Sequence, residues 1–289
     1  MMSILLAGAS SPALATISPS ITGFGVAGTE VFTQSSGSTP TTQSSGLFSA
    51  YLTVSSAGAL GSVSATSSVN GVGPFSYTGT TASTSFTYQS GSLTPTQLST
   101  YLTSGSVYTV STSGGTLGSQ NTNPDLSPMA FASSIPALNS ASFTALQSFD
   151  PSQQQTLNFS GFSPHGGITS SSSSVIITRV SDGATVFSSG ALSSASTSVQ
   201  LGANVLSANT AYNFALVYSD MVSTVISSAN GSPAFQGMTF NEFFNEQTNI
   251  SFTTGSPAPA VPEPASLVMT GLGLAGALVV RARRRRNPK

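Results

Sequence analysis

Short runs of alternating apolar and polar residues, separated by Gly, Asn, Asp, Ser and Pro, fill most of the chain between residues 16 and 255. A period of two puts successive side chains on opposite faces of a strand, so this pattern predicts half-buried β-structure. In the second half it predicts strands at 156–162, 196–201, 211–219, 222–227 and 249–254. The clearest hairpin is SSVIITRVSDGATVFSSG, with Val175, Ile177 and Val180 on one strand, Asp182-Gly183 as a type I′ turn and 185–187 returning. About seven short strands in roughly one hundred residues predicts an antiparallel sandwich. The first half predicts strands at 46–55, 61–68, 74–80 and 83–89.

Two stretches break the period. In Thr94-Pro95-Thr96-Gln97 the threonine can cap a helix, proline fits the first turn, and Gln97 can reach back to the cap, which sets Leu98 and Leu102 on one face. In the junction segment NPDLSPMAFASSIPALNSASFTALQSFDPS, Phe143, Leu146 and Phe149 recur every third residue and predict a short helix docked on an edge. The expected fold is therefore mainly β. It comprises two antiparallel β-sandwich domains, 16–123 and 124–255, with one or two short helices. A proline-rich spacer (256–264), a transmembrane helix (265–280) and a basic cytoplasmic tail (281–289) follow.

One phrase is more specific. In LSANTAYNFALVYSD, Leu206, a polar turn and Tyr212 at the head of an alternating strand resemble the Leu-to-Tyr approach of fibronectin type III and other Ig-like domains. That resemblance implies a tyrosine hydroxyl bonded back to the preceding loop. YLTSGSVYTVSTSGG offers a weaker counterpart, with Leu102 before Tyr108.

Charge alters the picture at the ends. Charged residues make up 5% of the chain, against about 25% in ordinary globular proteins. The mean hydropathy is +0.19, so Ser, Thr, Asn and Gln must solvate the surface. Residues 16–255 carry Glu30, Asp125, Asp150, Asp182, Asp220, Glu242 and Glu246 against Arg179 alone, a balance of seven acids to one base. A body without a basic patch argues against nucleic-acid binding. With no cysteine there is no disulfide, thiolate metal site or cysteine nucleophile.

At the N-terminus, Ile4 to Ala7 form a short apolar core and Ala13-Leu14-Ala15 matches a small-x-small cleavage site, so residues 1–15 read as a signal peptide, truncated at its cationic end. At the C-terminus, residues 265–280 are uncharged and mainly apolar. As a helix they reach about 24 Å, short against a hydrocarbon core of about 30 Å. Arg281, Arg283, Arg284, Arg285 and Arg286 follow at once as a stop-transfer cluster that stays cytoplasmic.

Val261, Pro262, Glu263 and Pro264, then a span containing Gly271, Gly273 and Gly276, then the arginine cluster, resemble the PEP-CTERM sorting signal of Gram-negative bacteria. The resemblance covers about the last 29 residues. It implies export, a transient membrane anchor, and recognition by an exosortase near Val261–Pro264. It also implies association with biofilm and exopolysaccharide, which makes exopolysaccharide a candidate partner.

Catalytic chemistry has thin support. Ser163, His165 and Asp150 or Asp182 could be drawn as a triad, but serine is everywhere and no G-x-S-x-G elbow occurs. Glu242 and Glu246 could share a helical face as paired carboxylates, although Phe240, Phe243 and Phe244 suit a packed edge with solvated acids better. No Cys/His ligand cluster exists, and the expectation is no catalytic residue, cofactor or metal. For sugar binding, Tyr51, Tyr77, Tyr88 and Tyr101 are the available aromatics, in the absence of tryptophan. The expected function is thus a non-enzymatic structural or adhesive surface protein. The alternatives are a carbohydrate-binding module and, less favoured, a secreted hydrolase.

Overall fold

Two strands of 15 residues each form the spine of the protein. The structure, a computed structural model, describes residues 21–55, 66–69, 72–76, 85–102, 107–112, 115–121, 131, 134–226 and 237–256. In chain order its elements are β1 (Ile21–Thr33), β2 (Gln43–Val54), β3 (Thr66–Val69), β4 (Val72–Ser76), β5 (Ser85–Gln89), α1 (Pro95–Tyr101), β6 (Val107–Thr112) and β7 (Gly115–Asn121). There follow α2 (Ser140–Gln147), β8 (Gln155–Asn158), β9 (Ser170–Arg179), β10 (Thr185–Ser188), β11 (Leu192–Ser193), β12 (Ser198–Leu201), β13 (Ala211–Val225) and β14 (Thr239–Thr253).

The main sheet runs β10-β9-β13-β14-β1-β2-β5, with β11 also on β9; β8 and β12 pair separately, as do β4-β3-β6-β7. The mainly β expectation holds, but the main sheet is mixed and not antiparallel throughout. β1 and β14 run parallel, in register from Gly23↔Thr239 to Thr33↔Asn249. Parallel neighbours need a long crossover, and here the whole body of the chain between them supplies it. Strands from either side of residue 123 therefore share one sheet.

The sheet's inner face carries two apolar clusters. One gathers Phe24, Phe48, Leu52, Phe86 and Phe240 beneath Leu98 and Leu102 of the α1 segment. The other packs Val175, Ile177, Phe214, Leu216 and Ile250 against Leu157, Val199 and Leu201 of the β8–β12 pair and Leu146 of α2. The second is the sandwich-like layer that the alternating pattern predicts.

Both helices begin where their caps put them. Thr94 accepts from the Gln97 amide at 3.2 Å while Gln97 Oε1 accepts from the Thr94 amide at 2.9 Å, with Pro95 in the first turn. Asn139 caps α2 through the Ser142 amide at 2.8 Å. The tyrosine motif also forms as expected: Tyr212, 1% exposed, accepts from the Ser207 amide at 2.9 Å and stacks on Phe252.

Several expectations are corrected. The 178–185 hairpin does not turn on a type I′ dipeptide, because only Gly183 of the Asp182-Gly183 pair has positive φ. The loop is longer, closed by the Gly183 amide on the Arg179 carbonyl, and leaves Val180 exposed outside the strand. Strands 211–219 and 222–227 are one strand, with Asp220 pointing inward in phase with Phe214 and Leu216. Glu242 and Glu246 lie on strand β14, not on a helix, and both are buried. β1 escaped the sequence pattern because its glycines mask the alternation.

Gly28 shows why such a glycine is needed: a Cβ there would collide with the Leu102 side chain that α1 lays against the sheet. Among the described residues, no helix is long and apolar enough to cross a membrane. The expected signal peptide, spacer, transmembrane helix and basic tail lie outside the described residues.

Candidate functional site

The two faces of the main sheet differ in chemistry. On the inner face lie the apolar clusters together with Glu30, Asp220, Glu242 and Glu246. The outer face is built from the alternate positions of the same strands: Ser172, Ser174 and Ile176 on β9, Asn213, Val217 and Ser219 on β13, and Asn241, Phe243, Asn245 and Gln247 on β14. Gly25, Ala27 and Thr29 of β1 and Ser49, Tyr51 and Thr53 of β2 continue it. No charged side chain stands on this face among the described residues. Both helices and the β8–β12 pair pack against the opposite face.

Tyr51 is the aromatic centre of this face. Register places Tyr51 of β2, Gly25 of β1 and Asn241 of β14 side by side. The tyrosine ring lies across the middle strand, since a Cβ on Gly25 would fall 2.6 Å from Tyr51 Cζ. The absent side chain therefore makes the seat for the ring. Asn241 Nδ2 donates to the Tyr51 hydroxyl at 2.9 Å, and Phe243 flanks the ring with centroids 6.2 Å apart. Burial pushes the Tyr51 phenol above its ordinary pKa, and the Asn241 bond partly offsets that shift. The hydroxyl stays protonated across the physiological range.

Further along β14 the face dips into a hollow of about 370 Å³. Val217, Ile176 and Ala191 line it together with Thr29, Ser172, Asn245 and Gln247. The amides are already oriented: Asn245 Nδ2 reaches Thr29 Oγ1 at 3.4 Å, and Gln247 Nε2 donates to Asn249 Oδ1 at 2.8 Å. The carbonyl oxygens of Asn241, Asn245 and Gln247 accept nothing among the described residues. Asn213 and Ser251, hydrogen-bonded to each other at 3.0 Å, extend the face into a second hollow of about 490 Å³.

Glu30, Glu246 and Asp220 lie where the two clusters meet, and Glu242 lies within the first. Glu30 is registered beside Glu246 on parallel neighbours. Asp220 is 1% exposed, and its Oδ2 accepts from the His165 backbone amide at 2.9 Å. Burial raises the pKa of both Glu30 and Asp220; for Asp220 the His165 amide and the imidazole pull the other way. Glu242 and Glu246, expected as solvated acids, are each 2% exposed. Four residues apart on one strand, their Cα atoms are about 13 Å apart. Among the described residues, no group of three His, Asp or Glu side chains is placed to hold a metal ion.

The triad drawn from sequence does not assemble. His165 Nδ1 faces the Gly166 carbonyl at 2.9 Å, the Asp150 carboxylate receives the Ser152 amide and hydroxyl, and Asp182 pairs with Arg179 at 3.1 Å. Of the candidate tyrosines among the described residues, Tyr88 and Tyr101 pack on Phe48 against the first cluster, and Tyr51 reaches the outer face. Tyr77 lies outside the described residues. So do Val261, Pro262, Glu263 and Pro264, the arginines from Arg281 to Arg286, and Ala13 and Ala15. Sequence reasoning missed Asn241, Asn245 and Gln247. Their alternation with Glu242, Phe244 and Glu246 was the available signal, obscured by the four-residue spacing of the two glutamates, which also fits a helical face.

Among the described residues the body is thus a β protein with a covered inner face and an uncharged outer one. Its C-terminal residues 260–285 match the PEP-CTERM protein-sorting motif. Such a motif marks an exported protein that is transiently anchored in the membrane by its C-terminus, processed by an exosortase and sorted to the surface. No curated protein matches the chain. Solved structures with a detected likeness include the BSP domain of a biofilm-associated protein, at 15% identity over 80% of this chain and 29% of that one, with a TM-score of 0.20. Another is the central fibronectin-III array of RIM-binding protein, at 10% identity over 78% of this chain and 69% of that one, with a TM-score of 0.22.

Proposed function

We propose that the chain is a structural or adhesive protein of the cell surface or extracellular matrix, of the biofilm- and exopolysaccharide-associated kind. The observation that carries this reading is the sorting motif at residues 260–285 behind a β body of very low charge. Export comes first, then arrest at Arg281–Arg286, then recognition of Val261–Pro264 and the following span by the exosortase. The body is non-catalytic in this account. His165 Nδ1 and the carboxylates of Asp150 and Asp182 are each engaged by local partners, which supports that choice.

A surface of hydroxyls and amides resists non-specific ionic adhesion and offers many weak, directional hydrogen bonds. That suits a component packed at high density outside the cell. The reading is tested by fractionating a host that carries the exosortase. The full chain is expected in the surface or matrix fraction. A variant lacking residues 261–289 is expected to be released without surface retention. Equal surface retention of the two forms would contradict the proposal.

A further inference from the structure

We infer that the outer face of the main sheet binds a neutral polysaccharide laid along β14. Tyr51 would serve as its aromatic platform, and Asn241, Asn245 and Gln247 as its hydrogen-bonding row. The inference rests on the proposed extracellular location only for access to such a polymer; the site itself is argued from the face.

Three features converge on one ligand chemistry. First, a sugar ring has an apolar C–H face and an equatorial belt of hydroxyls, so its receptor needs a flat apolar platform beside acceptors and donors. Tyr51, its ring tip seated over Gly25 and flanked by Phe243, supplies the first. The side-chain carbonyls of Asn241, Asn245 and Gln247, whose amide nitrogens are already committed to neighbours, supply the second.

Second, the row is extended. Asn241 to Gln247 covers six steps of strand, about 20 Å, and Asn213 and Ser251 carry it further. A site of that length suits a polymer segment of several rings and not a single small molecule. Val217, Ile176 and Ala191 line the hollow with these amides, which gives later rings an apolar contact.

Third, charge selects a neutral chain. Among the described residues, no cation stands on this face to pair with uronate, sulfate or phosphate groups. The acids of these strands, Glu30, Asp220, Glu242 and Glu246, are all turned to the other side. The excess of acids over bases in the body adds long-range repulsion of anionic polymers. Sequestering those carboxylates inside leaves an outer face that an uncharged polymer can approach without displacing bound ions.

The test uses the full chain in detergent, with a soluble neutral β-glucan and a polyuronate of matched length as probes, followed by affinity electrophoresis and calorimetry. The wild type is expected to be retarded by the glucan, and any retardation by the polyuronate is expected to vanish in a tail variant with Arg281, Arg283, Arg284, Arg285 and Arg286 each replaced by Gln. Asn245→Ala and Tyr51→Ala are each expected to weaken glucan binding by about tenfold, the loss of one or two oriented contacts. Tyr51→Phe keeps the ring and is expected to lose less. Gln153→Ala, on a loop outside the face, is expected to bind as wild type, and circular dichroism establishes that each variant is folded.

Binding of the polyuronate in preference to the glucan that persists in the tail variant would overturn the inference. So would glucan binding that survives Tyr51→Ala and Asn245→Ala together, or a folded wild type that self-associates through this face and binds neither probe. Surface retention of the full chain is read separately. A protein that is sorted but binds no glucan sinks this inference and leaves the proposed function standing.

Discussion

Asp220 shows how a single residue escapes a pattern while setting a property. It sits in phase with Phe214, Leu216 and Tyr218, yet as an acid in an apolar alternation it reads as a break between strands. Its burial, and that of Glu30, raises both pKa values above the ordinary 3.8 and 4.5. The sign follows: the folded protein holds these protons more tightly than the unfolded chain. The stability they contribute is fully present below the ordinary values and is lost as pH rises through the raised ones. The groups facing them are His165 above Asp220 and Glu246 beside Glu30. Thermal melts from pH 4 to 7.5 are therefore expected to show a falling Tm, and Asp220→Asn with Glu30→Gln to flatten the fall. A wild-type Tm that rises over this range would contradict the assignment. Local residue signals were legible where both partners lie close in sequence, as with Ser207 and Tyr212. Tyr51 and Asn241 are 190 positions apart, and no local pattern announces their bond.

At the scale of elements, legibility followed the strength of local chemistry. The capping box at Thr94–Gln97 specified α1 because cap, proline and Gln97 all act within one turn. The 13 residues of β1 were invisible as a strand, because glycine has low β-propensity and its need here arises from partners brought in later. β14 was half visible: its last five residues alternate cleanly, while the four-residue spacing of Glu242 and Glu246 left a helical face open and the clustered phenylalanines read as a packed edge. β1 is the joint between the halves, so its glycines have a testable cost. Gly25→Val is expected to unseat Tyr51 and strain the β1–β14 pairing, lowering stability by about 2 kcal/mol in denaturant melts. Hydrogen exchange is expected to quicken first in β1 and β2. An unchanged midpoint would show that the tyrosine does not depend on the glycine for its seat.

At the scale of the molecule, the parallel pairing of β1 with β14 brings the first and last described strands together in the middle of the main sheet. Pairing between such distant strands depends on long-range contacts, and no two-residue alternation encodes it; the expectation of purely antiparallel sandwiches failed at that point. The body's surface chemistry was legible from composition, since a chain with 5% charged residues must solvate itself with hydroxyls and amides. Which face they occupy required the register. The sorting signal lies at the other extreme: a contiguous motif read by a partner enzyme, it could be recognised from residues 261–286 without any fold. In the proposed function these two parts join: a body whose described acids lie inside and whose outer face is neutral, delivered outside the cell by a removable anchor. The central claim is the delivery. The most direct measurement is the intact mass of the protein recovered from a host with and without its exosortase. The account predicts a form lacking residues 1–15 and everything after about residue 264, seen only when the exosortase is present. An uncut C-terminus in both strains would contradict it.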